Sequence, residues 1–379
     1  MLVSIPCAIY RGGSSKGVFF LGRDLPESKE EQGILFQKIL GGNDPRQIDG
    51  LGGAQIVTSK VAVVEKSDLP DCDVDYTFVQ VYPNKPGVDL SSNCGNISSA
   101  VGLFAIEKGL VQPTSDTTVV RIFNTNTGKV IEETLQTPGG KPCVEGDYAI
   151  AGVPGTGSRI ELAFQNPGGA VTGRLLPTGR ARESVRLADG REIEISIVDC
   201  TGLFVFVPMA ALGLTGQEDN AALEQKPLLL RELEYIRGTA AVRLGLAESA
   251  ESAAEQSAAI PKLALVGAPA AYSAGKRRFA AEEMDLRVCM MTLGKPHKSF
   301  AVTGAMCAAG AAAIPGSVVH GLCPVQSGAF SLRLGNPAGI METGVRLGAA
   351  GEILSALAYR TARPLMSGMA YYSTEESKS

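Results

Sequence analysis

The chain has 379 residues, enough for two domains, and its 45% of hydrophobic residues can supply their cores. The formal net charge of −4, with no dense basic cluster, argues against a nucleic-acid-binding protein. The longest apolar stretch, residues 305–314, is too short to span a bilayer, and no secretory signal pattern is visible, so we expect a cytoplasmic protein without membrane contact.

The eight cysteines are scattered without a CxxC pair, and the only histidines are His297 and His320. No spacing typical of zinc ligands occurs, and both the GxGxxG fingerprint and the Walker phosphate loop are absent. We therefore expect free thiols, no metal and no cofactor.

Short runs of β-favouring residues, separated by glycine, proline and asparagine, predict a chain dominated by strands. The predicted strands cover residues 3–10, 17–21, 59–64, 74–81, 119–124, 193–198, 203–207 and 286–293. The predicted helices cover residues 30–40, 97–108 (ended by Gly109), 221–244 (broken near Gly238) and 305–314 (ended by Pro315). Helices 97–108 and 305–314 are apolar on all sides, which indicates that both are buried.

The sequence repeats itself. Residues 73–81 form a strand that is followed by a turn and an apolar helix, and residues 285–293 are followed by the same succession. Residues 5–20 likewise resemble residues 193–207. Two such units in the same order predict two similar halves, each with a sheet curled around a central helix, although apolar strands can also match by chance.

The strongest local signal is the segment 91–98, in which Asn93, Cys94, Gly95 and Asn96 stand where a turn enters a buried helix. Unpaired backbone N–H groups at a helix N-terminus attract carboxylates and favour a thiolate, so Cys94 is a candidate acid or base. The alternative is a structural cysteine beside a glycine turn.

Three further segments carry polar groups in suggestive places. Lys60 enters an otherwise apolar strand, where loss of solvation would let an amine act as a base, although a strand-end lysine often just reaches solvent. Residues 11–17 combine glycines, hydroxyls and two cations in a pattern suited to carboxylates, or form an ordinary hairpin turn. His297 precedes the second apolar helix and could bind an anion or donate a proton, or be structural.

Together these segments resemble the PrpF family of 2-methylaconitate, 3-methylitaconate and 4-oxalomesaconate isomerases. The resemblance runs through nearly the whole chain and includes residues 11–17 (RGGSSKG), 46–53 (RQIDGLGG), 58–60 (TSK), 73–76 (DVDY), 93–96 (NCGN), 124–128 (NTNTG), 294–298 (GKPHK), 303–304 (TG) and 314–316 (IPG).

The resemblance implies an α+β fold like that of diaminopimelate epimerase. It comprises two similar domains, each a β-barrel-like roll around a central helix, with the active site in the cleft between them. We expect the domains to cover residues 1–184 and 185–379, with the last strand free to pack on the first domain. A homodimer is compatible with this scheme.

The resemblance also implies roles for individual residues, with Lys60 and Cys94 as the catalytic pair. The epimerases use a second cysteine, but residues 301–304 read Ala-Val-Thr-Gly, and Cys307 lies within the predicted helix. The expected substrate-binding residues are Arg11, Ser14, Ser15, Lys16, Ser59, Asn93, Gly95, Asn96, His297, Lys298, Thr303, Gly304 and Ala305.

The implied function is a cofactor-independent isomerase that moves a proton, and with it a carbon–carbon double bond, on a small unsaturated di- or tricarboxylic acid. One alternative is an epimerase or racemase of amino or hydroxy acids, which the missing second cysteine disfavours. The other is a non-catalytic tricarboxylate-binding protein, against which the retained Lys60 and Cys94 speak.

Overall fold

The computed structural model describes residues 1–90, 93–275, 277–323 and 328–374. Its strands are β1 (Leu2–Gly12), β2 (Ser15–Leu21), β3 (Lys60–Lys66), β4 (Val74–Val81), β5 (Val88–Asp89), β6 (Thr117–Asn124), β7 (Lys129–Gln136), β8 (Ile160–Gln165), β9 (Glu183–Arg186), β10 (Glu192–Asp199), β11 (Leu203–Pro208), β12 (Lys262–Gly267), β13 (Tyr272–Ala274), β14 (Arg277–Phe279), β15 (Leu286–Thr292), β16 (Lys295–Pro296), β17 (Ala329–Asn336), β18 (Gly339–Leu347), β19 (Ile353–Arg360) and β20 (Ala362–Ser373). Its α-helices are α1 (Lys29–Leu40), α2 (Gly95–Ser98), α3 (Val101–Glu107), α4 (Asn220–Glu224), α5 (Pro227–Arg243), α6 (Ala253–Gln256), α7 (Val302–Ala312) and α8 (Val318–Leu322).

The mixed α+β chain forms two compact units. Unit 1 contains Met1–Ala163 together with the chain from Tyr359 onward, and unit 2 is Phe164–Ala358. The sequence suggested a division after residue 184, whereas the compact units divide within β8 and β19. In the described ranges, no helix has the length and apolar character needed to cross a membrane.

Unit 1 is a sheet with helices on both faces. β1 pairs antiparallel with β2 and β20, β2 runs parallel to β3, β3 is antiparallel to β4, β4 runs parallel to β6, and β6 is antiparallel to β7. Alternate side chains such as Val61 and Val63 pack under α1 with Leu35 and Phe36. The opposite face holds α2 and α3, where the rings of Tyr10, Phe19 and Phe104 meet.

Unit 2 follows the same plan. β10 is antiparallel to β11, β11 runs parallel to β12, β12 is antiparallel to β15, β15 runs parallel to β17, and β17 is antiparallel to β18. Leu263 and Leu265 of β12 pack under α5 with Leu233 and Ile236. On the opposite face lies α7, which contacts β10, β11, β17 and β18.

Two matching pairs of hydrogen bonds between an aspartate and an arginine, which we call the Asp–Arg clasps, confirm the internal repeat. Asp73 accepts from the backbone N–H of Arg121 through its side chain (2.8 Å) and donates its own N–H to the carbonyl oxygen of Arg121 (2.8 Å). Asp285 makes the same two bonds with Arg333 (2.7 and 2.8 Å). In each unit the partners are 48 residues apart, so the two sheets repeat in side-chain detail as well as in strand order.

Two predicted helices are interrupted at places that the sequence did not indicate. The helix expected at 97–108 is interrupted at Ser99 and Ala100, so that α2 and α3 are separate segments. The helix expected at 221–244 breaks before Pro227, which begins α5, and not near Gly238. Gly238 lies inside α5. A glycine is needed there because a Cβ atom would stand 2.3 Å from the carbonyl oxygen of Ala250.

Candidate active site

In unit 1 the turn between β1 and β2 packs directly on the start of α2. A Cβ atom on Gly12 would lie 2.5 Å from the carbonyl oxygen of Asn96. The Asn96 side chain accepts from the backbone N–H of Ser14 (3.4 Å) and donates to the Ser14 hydroxyl (3.3 Å). The glycines of residues 11–17 thus let the hairpin turn approach the NCGN segment, and the structure brings these two motifs together.

Lys60 is brought to the same place by Gly17, its partner on the parallel strand β2. A Cβ atom on Gly17 would lie 3.1 Å from both the Lys60 carbonyl oxygen and Cδ1 of Ile97. The Lys60 side chain is only 7% exposed. Its ammonium donates to Oε1 of Gln80 (2.7 Å) and lies 5.0 Å from the centroid of the Phe78 ring. Among the described residues no carboxylate pairs with it, so an anionic ligand would supply its missing counter-charge.

The neighbouring Ser59 holds the loop that precedes Lys60. Its buried hydroxyl donates to Oε1 of Gln47 (2.6 Å), which also accepts from the N–H of Ala54 (2.8 Å). Gln80 completes the arrangement by donating to the carbonyl oxygen of Ser59 (3.0 Å). Ser59 therefore positions Lys60 from the protein side, a contribution different from the direct substrate contact that the sequence suggested.

Cys94 is half-buried and occupies the N-cap of α2 in an extended conformation. Its backbone N–H is held by Oδ1 of Asn93 (2.7 Å), while Ser98 N–H returns to the Cys94 carbonyl oxygen (3.0 Å). The N–H groups of Asn96 and Ile97 have no acceptor in the described part of the chain. Ser91 and Ser92, which begin this motif, lie outside the described residues.

The NTNTG segment supports Cys94 from behind. Asn124 donates to the carbonyl oxygen of Tyr76 (3.3 Å) and to Oδ1 of Asn93 (3.5 Å). Asn126 exchanges hydrogen bonds with the backbone of Phe78 and also donates to the Leu90 carbonyl oxygen (2.8 Å). This motif therefore fixes the loop that carries Cys94.

Three buried polar residues that sequence reasoning missed surround the Cys94 segment. Burial lowers the pKa of Arg360 to about 10, against the opposing effects of nearby Tyr148 and Cys94, so Arg360 remains a cation near the thiol at neutral pH. Burial, then Cys94, raises the pKa of Tyr76 well above its usual range, with a smaller rise from Glu133 and an opposing effect of Ser98. The Tyr76 hydroxyl nevertheless has no partner of ordinary hydrogen-bonding geometry in the described residues.

Glu133 is the third of these residues. It lies on β7, where Oε2 accepts from the N–H of Gly102 (2.6 Å) and Oε1 has no partner among described residues. Burial raises the pKa of Glu133 to about 8, although the Gly102 hydrogen bond lowers it. The carboxyl is therefore mainly protonated at pH 7. Its only sequence signal was a charged residue at an inward position of an alternating strand, an arrangement that is uninformative without the sheet.

The remaining residues of the first hairpin play different parts. Arg11 uses Nη1 to bind the Gly13 carbonyl oxygen (2.9 Å) and the carbonyl and hydroxyl oxygens of Thr361 (2.8 and 3.0 Å). Through these bonds Arg11 stabilises the conformation of the turn. Ser15 is buried at the start of β2, whereas the Ser14 side chain is exposed and Lys16 is half-buried.

In unit 2, Thr303, Gly304 and Ala305 lie in the first turn of α7. The N–H of Ala305 donates to the Ala301 carbonyl oxygen (2.8 Å), so this N–H group is already engaged within the helix. The helix begins at Val302, whereas the sequence predicted a start at residue 305. The N–H groups without an acceptor inside the helix are therefore those of residues 302–304. A Cβ atom on Gly304 would lie 2.8 Å from Cζ of Phe204, so this glycine is needed for packing.

His297 and Lys298 lie in the loop before α7. The backbone N–H and carbonyl oxygen of His297 bind Met290 and Asn220, and its Nδ1 lies 2.7 Å from the carbonyl oxygen of Ser299. Its ring is therefore anchored by its own loop, while Lys298 is exposed.

Cys307 is fully buried in α7 and contacts the Val198 carbonyl oxygen (3.5 Å). Burial raises the pKa of its thiol well above the ordinary value, so Cys307 does not replace a second catalytic cysteine.

The described residues contain no group of three His, Cys, Asp or Glu side chains placed to hold a metal ion.

Residues 2–373 match the family described as PrpF protein. The chain belongs to the PrpF family. This confirms the membership that the sequence motifs indicated.

Two relatives of this PrpF chain are named isomerases. The 3-methylitaconate isomerase of Eubacterium barkeri is 39% identical over 97% of each chain. The (4E)-oxalomesaconate Delta-isomerase of Novosphingobium sp. strain KA1 is 38% identical, again over 97% of each chain. Their names agree with the predicted isomerase class.

Solved structures confirm the fold class. The crystal structure of a methylitaconate-delta-isomerase matches this PrpF chain with a TM-score of 0.92 and 37% identity over 100% of both chains. A hydroxyproline epimerase from Agrobacterium vitis covers 99% of this chain and 94% of its own, with a TM-score of 0.51 and 12% identity. The second likeness shows the fold alone.

Proposed function

We propose that this PrpF chain is a cofactor-independent isomerase that shifts a proton and a double bond on a small unsaturated di- or tricarboxylic acid. The observation that carries this proposal is the Lys60 side chain, which lies buried beside the Cys94 segment and has no acidic partner among the described residues. Relatives named for 3-methylitaconate and oxalomesaconate support the substrate class.

In the proposed reaction, Lys60 acts in its neutral amine form and removes a proton from the carbon next to the double bond. The electron pair of the broken C–H bond spreads over the allyl system and its carbonyl or carboxylate, giving a dienolate. A proton then returns at the other end of the allyl system, from Lys60 or from Cys94. If Cys94 gives the proton, it is left as a thiolate and Lys60 as an ammonium, and transfer of one proton from Lys60 to Cys94 through solvent restores both groups. One proton leaves and one is added, so no oxidant or co-reactant is needed.

The surrounding groups suit the charges that develop. Unpaired N–H groups at Asn96 and Ile97 can bind a substrate carboxylate, and Ser14 and Lys16 lie at the hairpin turn where they can orient another. Arg360 is a buried cation near Cys94. Gln80 holds the Lys60 amine in place between proton transfers.

Proton NMR in D₂O tests the proposal. Protein freed of metal by chelation is mixed with methylitaconate, methylaconitate, oxalomesaconate or aconitate. Deuterium uptake at the allylic carbon with movement or inversion of the double bond is the expected result for one of these acids. Absence of exchange in all four, with folded protein, would contradict the proposal.

A further inference from the structure

Glu133 lies at the break between α2 and α3. The backbone tightens at this break, because the N–H of Ser99 donates to the Asn96 carbonyl oxygen (3.3 Å), three residues back instead of four. Gly102 lies in the first turn of α3, and its N–H donates to Oε2 of Glu133 (2.6 Å). In an uninterrupted helix the same N–H would donate to the Ser98 carbonyl oxygen. The carboxyl on β7 therefore supplies an acceptor at the point where the helix is interrupted.

The contact between Glu133 and α3 is close and dry. Glu133 is 0% exposed. A Cβ atom on Gly102 would lie 2.8 Å from Oε2 of Glu133 and 2.8 Å from Cδ1 of Leu135, so the glycine is what lets the carboxyl reach the backbone. An apolar side chain in place of Glu133 would leave the buried N–H of Gly102 without this acceptor, which is costly in a place that water does not reach.

α2 is a single turn whose end is tied to its start. The hydroxyl of Ser98 donates to the carbonyl oxygen of Cys94 (3.1 Å) and lies 3.4 Å from Oδ1 of Asn93. On the other side of α2, a Cβ atom on Gly12 would lie 2.5 Å from the carbonyl oxygen of Asn96, so the first hairpin turn packs against it. α2 is thus held between the hairpin turn and the break. A shift at the break would move Cys94 and the N–H groups at the start of α2 with it.

We infer that Glu133 is a positioning residue of the candidate site, whose carboxyl holds the break between α2 and α3 and so sets the position of α2 and Cys94. This inference rests on the proposed function, since it names what places the residues to which that function is assigned. Glu133, Gly102, α2 and the first hairpin turn all belong to unit 1. Glu133 acts through α2 and makes no contact with substrate in this role.

Three substitutions and a control test the role of the carboxyl. Glu133→Gln keeps an oxygen for the Gly102 N–H, whereas Glu133→Leu has a similar volume and no acceptor. Gly102→Ala disturbs the same hydrogen bond from the helix side and leaves Glu133 in place. Glu132→Leu is the control, because that neighbouring side chain points to the other face and is only half-buried.

Alkylation of Cys94 reports the position of α2 without turnover. Each folded variant is treated with iodoacetamide, and the modified peptides are quantified by mass spectrometry, because the chain has eight cysteines. Glu133→Leu and Gly102→Ala should alkylate Cys94 several-fold faster, since a half-buried thiol becomes more accessible when its segment is no longer held. Glu133→Gln and Glu132→Leu should react like the wild type. Cys72, which is also half-buried, is the internal reference and should react alike in all variants.

Turnover of the acid found by NMR gives the second measurement. Glu133→Leu should lower kcat/KM by up to roughly 100-fold, the loss typical of a misplacement of about 1 Å, and Glu133→Gln should recover most of it. Where Glu133→Leu does not fold, Gly102→Ala decides by the same two measurements.

A lower melting temperature with wild-type alkylation of Cys94 and wild-type KM in folded Glu133→Leu or Gly102→Ala would show that Glu133 only stabilises the fold. That result would overturn the inference even if the wild type is an active isomerase. Faster alkylation of Cys94 in a chain that turns over none of the acids would support the inference and contradict the proposed function.

Discussion

Lys60 and Lys66 lie at opposite ends of β3 and differ in burial and in hydrogen-bond partners. The first is buried against Phe78 and bonded to Gln80, whereas the second is exposed and donates to the Leu110 carbonyl oxygen at 3.5 Å. The contrast arises because the start of β3 is buried and its end is exposed. The two lysines therefore form a matched pair for mutagenesis.

Lys60→Ala should lower turnover by roughly 10²- to 10⁴-fold, because it removes the general base. Cys94→Ala should cause a loss in the same range if the thiol returns the proton. Lys66→Ala and Cys72→Ala are the controls and should retain wild-type kcat, with unchanged melting temperatures in all four variants. Wild-type turnover in both Lys60→Ala and Cys94→Ala would refute the site assignment.

Glu133 predicts a pH dependence of stability. Its pKa is about 8 in the folded chain against an ordinary value of 4.5, so the folded state binds more protons than the unfolded state between these values. The free energy of unfolding therefore falls as pH rises from about 4.5 to 8, by roughly 3 kcal/mol at pH 7. The uncharged Glu133→Gln variant keeps an acceptor for Gly102 and should lack this loss.

Urea unfolding between pH 5 and 8 measures the difference between wild type and Glu133→Gln. Glu132→Gln is the control, because that neighbouring side chain points to the other face and is only half-buried. The stability of Glu133→Gln relative to wild type should increase with pH. Parallel pH curves for the two proteins would show that Glu133 is ionised in the fold.

At the scale of elements, the close approach of the first hairpin turn to α2 builds the candidate site. Gly12→Ala would place a methyl group 2.5 Å from the Asn96 carbonyl oxygen and 3.1 Å from Cα of Ile97, so backbone must move. We expect a loss of about 1–3 kcal/mol in stability and a reduced turnover, because the N–H groups of α2 would be displaced.

Thermal unfolding and initial rates check this prediction. Gly368→Ala on β20 is the matched control, since its Cβ would meet only the Met366 sulfur at 3.4 Å, an ordinary contact. If Gly12→Ala were as stable and active as Gly368→Ala, the hairpin turn would not be what positions α2.

The sequence predicted local elements well where their pattern was strong and local. Every predicted strand has a counterpart, because hydrophobic runs bounded by glycine and proline carry that information. The other described strands, among them β7, β8, β12 and β17 to β20, were missed. In β17 to β20, glycines and mixed polar residues give no clear period. The break between α2 and α3 was missed too, because residues 99–100 look like ordinary helix formers.

The candidate site was predictable only in part. Lys60 and Cys94 were proposed from local context and family motifs, whereas Arg360, Glu133 and Gln80 were not. These three residues act through strands that are far apart in sequence, and only the sheet pairing brings them near α2. Conversely, Arg11 and Ala305 had suggestive positions, but their polar groups are engaged by the protein itself.

At the scale of the whole chain, the two Asp–Arg clasps are alike in the backbone and unlike in the side chains. Asp285 also pairs with the Arg333 guanidinium through Nη2 (2.7 Å) and Nε (3.2 Å), whereas Nε of Arg121 lies 3.9 Å from Oε1 of Glu132. The repeat has therefore kept its framework bonds while its surface charges have diverged.

Asp285→Ala should consequently destabilise the chain more than Asp73→Ala. Loss of the backbone bond costs about 1 kcal/mol in either variant, and Asp285→Ala also loses a half-exposed ion pair worth up to about 1 kcal/mol. Urea unfolding at low and high salt separates these contributions, because added salt should shrink the difference. A larger loss for Asp73→Ala would contradict this view of the clasps.

The pairing of β1 with β20 has a consequence for how the protein is made. The last described strand lies along the first over nearly its full length, from Leu2 with Ser373 to Gly12 with Ala362. On the ribosome, unit 2 is synthesised completely before β20 emerges, so it has all its strands while β1 still exposes an open edge. The half of the molecule that carries Lys60 and Cys94 is thus translated first but completed last, and the edge of β1 stays unpaired until β20 emerges.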